Sequence, residues 1–73
     1  MDANTIEIAI KAYLAEMRQR LDEAASIAKA AQACAESGNI EKGVEIALDV
    51  EQLVYEAETL LNAASLINRI SKG

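Results

Sequence analysis

Twelve carboxylate side chains, seven lysines and arginines, one cysteine and two tyrosines are the main chemical resources of this chain, and histidine is absent. Without histidine the commonest general base and metal ligand is missing. Glu41, Glu45, Asp49, Gln52 and Glu56 recur at steps of three and four, the spacing that lines one stripe of a helix. Glu51 and Glu58 make a second short row. Such rows suit docking to a basic partner or imitation of nucleic-acid charge; the plainer role is a solvated helix face. Spaced carboxylates alone hold cations weakly, so neither a metal nor a cofactor is expected.

The basic side chains are fewer. Lys11, Arg18 and Lys29 fall within about 20° of one another at ~100° per residue, so they could meet RNA phosphates together. Asp22 lies close to the same face, however, and no aromatic there can stack on a base. Local ion pairs are the simpler role, and nucleic acid is not an expected partner. Cys34 could be a nucleophile only beside a base, and none is identifiable; a small apolar packing residue is the expectation. Tyr13 lies beside an apolar seam, and Tyr55 lies on an outer face near the acids, where it could serve as a docking spot. No constellation here supports catalysis, and a non-catalytic role is expected.

The elements that place these residues are helices. Ile10, Leu14, Met17, Leu21, Ala24, Ala28, Ala31 and Ala35 alternate by four and three, which marks one face of a first helix over about 4–37. Gly43, Ile46, Val50, Leu53, Ala57, Leu60, Ala64 and Ile67 mark a second over about 40–70. Asn4 with Glu7 reads as a capping box opening the first helix. Between the helices stands Ser37-Gly38-Asn39. Gly38 suits a left-handed stop, and Asn39 suits the N-cap of the next helix. So short a connection makes the two helices antiparallel neighbours. The best register pairs residues whose numbers sum to 77 or 78, so that Ala35 faces Gly43 and Leu21 faces Ala57. Most layers then join one large and one small side chain, as close packing requires. Gly43 is best explained by close approach to Ala35. Glu7–Lys11 and Glu16–Arg20 are expected as helical ion pairs.

The chain reads as one helical-hairpin domain, residues 1–73, of the all-α class. Apolar residues are 52% of it, with no proline, phenylalanine or tryptophan. No run reaches the roughly 20 apolar residues of a membrane span. Asp2 and the lack of a basic N-terminal region speak against a secretory signal, and a single cysteine suits a reducing cytoplasm. The net charge of −5 argues against nonspecific attraction to nucleic acid or to an anionic membrane.

A lone hairpin has only one seam. Further apolar residues flank it: Ile6, Tyr13, Ile27 and Cys34 on the first helix, and Ala47, Val54 and Leu61 on the second. These widen each face to the pattern of a bundle, and they are the expected dimer interface. An antiparallel four-helix bundle made by a twofold homodimer is the simplest closure. A heterologous helical partner is the alternative, and would make the protein a chaperone-like subunit.

Two resemblances are visible. Ala31-x2-Cys34-Ala35-x2-Gly38-Asn39-Ile40-Glu41-Lys42-Gly43 resembles the inter-helix turn of a tetratricopeptide repeat over about a dozen residues. The tryptophan, Leu-Gly and closing proline of that repeat are missing, and no binding residues carry over. In plan, the acidic hairpin is similar to the Rop type of plasmid copy-number regulator, which implies dimerisation and an RNA-binding alternative. The expected function is that of a small bacterial-type or phage-type interaction protein that binds another protein through the acidic face of the second helix.

Overall fold

A computed structural model describes residues 2–72. They form three α-helices, α1 (Ala3–Glu36), α2 (Ile40–Ala47) and α3 (Val50–Lys72), with α1 packed along both of the others. The hairpin is rod-like, 54 × 15 × 12 Å in its Cα extents.

The closed end follows the sequence closely. Gly38 takes φ 107, a conformation that residues with a Cβ rarely adopt. Its N–H donates to the Ala35 carbonyl at 3.0 Å, and the Asn39 N–H donates to the Cys34 carbonyl at 3.1 Å. These are the two bonds of a Schellman stop. Asn39 then caps α2, its side-chain oxygen accepting from the Lys42 N–H at 3.2 Å. Beyond the cap, Gly43 is buried against α1. A Cβ built there would stand 3.0 Å from the Ala35 Cβ, which is the close approach the register requires.

The register is fixed a second time near the middle of the rod. The Arg20 Nε donates to the Glu56 Oε1 across the seam at 3.1 Å. At the open end, Ile6 and Ile10 share a surface hollow with Asn68 and Ser71, in step with the same alignment.

Three features depart from the sequence reading. First, α1 begins at Ala3 rather than Asn4, and its N-cap Asp2 makes no side-chain bond to the helix backbone. The Thr5 hydroxyl donates to the Asp2 carboxylate instead, at 3.3 Å. Glu7 turns outward to Lys11 at 3.4 Å, the ion pair expected of it, so the Asn4–Glu7 capping box does not form.

Second, the second helix is not continuous. A turn at Leu48–Asp49 separates α2 from α3. There Asp49 and Glu51 donate to Ile46 and Leu48, three residues back, at 3.1 and 3.2 Å. This tightened ladder falls where the seam changes from glycine at 43 to the branched side chains of Ile46 and Val50. The helices approach closely at Gly43, and a bulkier seam follows; one tightened turn accommodates the change.

Third, the buried face of α1 is turned relative to the expected one. Ala24 and Ala31 are buried, and Ile10 and Met17 are half-buried, as the seam requires. Leu14, Leu21 and Ala28 are exposed, whereas Ile6, Tyr13, Arg20, Ile27 and Cys34 are half-buried. On the second arm the expected seam holds throughout: Gly43, Ala57 and Ala64 are buried, and Ile46, Val50, Leu53, Leu60 and Ile67 half-buried. Arg20 explains the turn of α1. Its aliphatic stem covers the seam while its guanidinium reaches Glu56, so a position that looks unfit for packing belongs to it.

Candidate interaction surfaces

The hairpin has two long sides, divided by the seam, and an outer surface on each arm. One side carries Arg20 and Glu56. The Glu56 carboxylate also accepts from the Gln52 amide at 3.2 Å, so each of its oxygens has a donor. A shallow hollow here is lined by Arg20, Tyr55, Glu56, Thr59 and Leu60, and Tyr55 is 65% exposed at its rim. Ile6, Tyr13, Ile27 and Cys34 lie half-buried at the spacing of Arg20, along this same side of α1. The Cys34 thiol donates to the Asn39 carbonyl at 3.7 Å and thereby belongs to the closed-end turn. Glu56, not Glu16, is the partner of Arg20, and the expected Glu16–Arg20 pair is replaced by this contact between the arms. The alignment that sets Leu21 against Ala57 puts Arg20 level with Glu58, about half a turn from Glu56 and within reach of a long side chain, and that nearness was the signal in the sequence.

The opposite side is apolar. A groove of about 450 Å³ at its closed end is walled by Ala28, Ala35, Ile40, Val44, Ala47 and Val50. Farther along, at the same sevenfold spacing, stand Leu14 and Leu21 on α1 and Val54 and Leu61 on α3, all between 41 and 49% exposed. Ala47, Val54 and Leu61 are thus on this side, and Ile6, Tyr13, Ile27 and Cys34 are on the other. The structure does not bring those seven residues together on one face. The α1 residues that do accompany Ala47, Val54 and Leu61 are Leu14, Leu21 and Ala28.

The acidic row divides as well. Glu41, Glu45, Asp49 and Gln52 are exposed, whereas Glu56 is half-buried and engaged by Arg20. The available surface is therefore Glu41, Glu45 and Asp49, next to exposed Leu48 at the turn between α2 and α3. On α1, Lys11 pairs with Glu7 at 3.4 Å and Arg18 with Asp22 at 3.7 Å, all four largely exposed, and Lys29 is exposed. Two of the three candidate RNA contacts therefore have a carboxylate beside them, which lowers the local positive potential a phosphate would meet.

Among the described residues, no group of three or more histidine, cysteine or carboxylate side chains is placed to hold a metal ion, and no helix is long and apolar enough to cross a membrane. Comparison of the chain with protein-family models, with curated proteins and with solved structures finds no match to any of them.

Proposed function

We propose that this protein is a non-catalytic interaction module that works as a homodimer of helical hairpins, its apolar side covered by a second copy and its acidic turn presented to another protein. One observation carries the dimer reading. Among the described residues the buried hydrophobic core consists of Ala24, Ala31, Ala57 and Ala64, and no large side chain is fully buried. A domain of this size ordinarily needs large buried side chains to offset the ordering of its chain. Here the large ones at the seam are only half-buried, and Leu14, Leu21, Val54 and Leu61 line an open face. Covering that face would complete a four-helix bundle in which alanine and glycine on the inner seam let the arms approach and the leucines fill the space between hairpins.

The acidic turn supports the second half of the proposal. Glu41 and Glu45 stand along α2 and Asp49 just past its end, so carboxylates, with Lys42, surround the exposed Leu48 side chain. That arrangement suits a basic amphipathic segment of another protein, with electrostatics guiding approach and Leu48 supplying contact area.

Sedimentation equilibrium at micromolar concentration tests the dimer: a mass of twice 7.8 kDa is expected. A folded monomer would refute it and leave the apolar side to a different helical chain, the chaperone-like alternative. Cross-linking in extracts, compared between the wild type and Glu41→Lys/Glu45→Lys, tests the docking surface. An equal yield of cross-linked partner from both would refute that role.

A further inference from the structure

The apolar side of the hairpin changes shape along its length, and from this we infer how the second copy sits: closed end over open end, α1 along α1 and α3 along α3, with the leucines of each copy in the alanine groove of the other. This rests on the dimer reading. Toward the open end the side is a ridge of Leu14, Leu21, Val54 and Leu61, between 41 and 49% exposed. At the closed end it is the groove of about 450 Å³, with buried Ala31 and Gly43 at its floor and Ala28, Ala35, Val44 and Ala47 in its walls. One side of one molecule thus carries both a ridge and a trough.

Two twofold arrangements can stack two such sides. An axis along the rod sets closed end on closed end. Ridge then meets ridge, which holds the hairpins apart, and groove meets groove, which leaves it empty. An axis across the rod reverses the second copy, so each ridge enters the other copy's groove. Large side chains set against small ones fill space at native density, whereas an empty groove forfeits those contacts. Charge does not choose between the two. Lys11 and Arg18 on the border of α1 are paired with Glu7 and Asp22, and Arg69 shares the border of α3 with Glu51 and Glu58.

One axis serves both arms. On α1, a twofold midway between Ala24 and Ala25 exchanges Leu21 with Ala28 and Leu14 with Ala35. On the second arm, a twofold at Val54 exchanges Leu61 with Ala47 and sets Val54 against its own copy. The seam register that brings Gly43 against Ala35 places Ala24 opposite Val54, so the two positions of the axis agree to within one residue. Glu51 and Glu58 of the two copies become neighbours at the rim, where exposed like charges cost little beside packed leucines. The shared stretch from Leu14 to Ala35 is about 32 Å of helix and 15 Å wide, so the two copies bury on the order of 1,000 Å² in total, a size at which fit decides whether a specific contact holds.

Exchanging the sizes within one layer tests this. Ala28→Leu puts a leucine where the partner copy's Leu21 must seat, and weakens dimerisation by about tenfold or more. Leu21→Ala/Ala28→Leu moves the large residue across the axis and returns dimerisation to near the wild-type level. Both positions are exposed in the hairpin, and helical circular dichroism shows that each variant folds. Disulfides between copies give an independent reading. With Cys34→Ser removing the native thiol, Ala25→Cys and Val54→Cys each stand near the axis. Each alone should cross-link on oxidation faster than Ser26→Cys, which lies on the outer surface of α1. A dimer that Ala28→Leu leaves unchanged or tightens, or one in which neither cysteine outpaces Ser26→Cys, would overturn the arrangement while leaving the dimer standing. A wild-type monomer by sedimentation would overturn both.

Discussion

Replacing Gly43 by alanine sets two measurable effects against each other. On intrinsic propensity alone, alanine in a helix is favoured over glycine by about 1 kcal/mol, so a free helix would gain. The structure opposes this with contact. A Cβ at position 43 would stand 2.8 Å from the Ala31 carbonyl oxygen, 3.0 Å from the Ala35 Cβ and 3.1 Å from the Ala35 nitrogen, whereas ordinary contact begins at 3.4 Å. Two of these three atoms are backbone and have no rotamer to change. Relief must come from moving α2 away from α1 by roughly half an ångström at the closed end, where the Schellman turn and the Asn39 cap hold both helices. Overpacking of this kind costs about 1–3 kcal/mol, so the net effect of Gly43→Ala is a loss of about 1 kcal/mol, lowering Tm by about 4–8 °C. Thermal unfolding followed at the helical circular-dichroism band, at one fixed protein concentration, reads this directly. A double-mutant cycle with Ala35→Gly should recover part of the loss by removing one of the three contacts. If Gly43→Ala raises Tm, propensity has won and the close approach at the turn is wrong.

The other predictions concern the turn, the bridge and the exposed apolar side. Gly38→Ala forces a Cβ into a backbone at φ 107 and should cost about 1–2 kcal/mol, with Gly38→Asn costing less, as read by urea midpoints. Asn39→Ala removes the α2 cap and should cost about 1 kcal/mol by the same measurement. Arg20→Met keeps the stem and removes the pair with Glu56; both groups are partly exposed, so the loss should stay under about 1 kcal/mol and shrink further in high salt. Leu21→Glu should abolish dimerisation by sedimentation while leaving the helical signal of the remaining monomer, whereas Ile8→Glu, equally apolar but on no shared face, should not.

The two arms differ in how much of this could be read in advance. On the second arm the seam alternates unlike residues: Ile46, Val50, Leu53, Leu60 and Ile67 stand out from Glu45, Glu51, Gln52 and Glu58, so only one face can turn inward. The turn was equally legible, because Gly38 and Asn39 are suited to few other positions. The first arm is different between residues 24 and 35, where alanines fall on every side, at 24, 25, 28, 30, 31, 33 and 35. Where inward and outward residues are the same, hydrophobicity cannot choose the face, and the choice falls to the larger residues on either side. There the sequence offers two flanks: Leu14 and Leu21, wholly apolar, and Tyr13, Arg20 and Ile27, interrupted by a charge. Pattern reasoning prefers the first. The break at Leu48–Asp49 was hidden for a related reason, since neither residue is a helix breaker and the cause is the changing thickness of the seam.

The choice of flank decides where the interaction surface lies. Arginine is poorly described as polar when its stem can lie along alanines and its guanidinium can reach a carboxylate on the facing arm. In this hairpin the alanine seam is shallow enough for that reach: Arg20 spans it to Glu56. The flank carrying a charge thereby becomes the one that closes between the arms, satisfied at both ends, and the flank of pure leucine is left outside. An exposed Leu14 and Leu21 contribute little to a lone hairpin, whereas Tyr13, Arg20 and Ile27 are already half-buried in theirs. Leu14 and Leu21 thus share one side with Val54 and Leu61, a concentration apart from the singly exposed Ile8, Leu48 and Tyr55. That concentration is what a second hairpin could cover in a single contact.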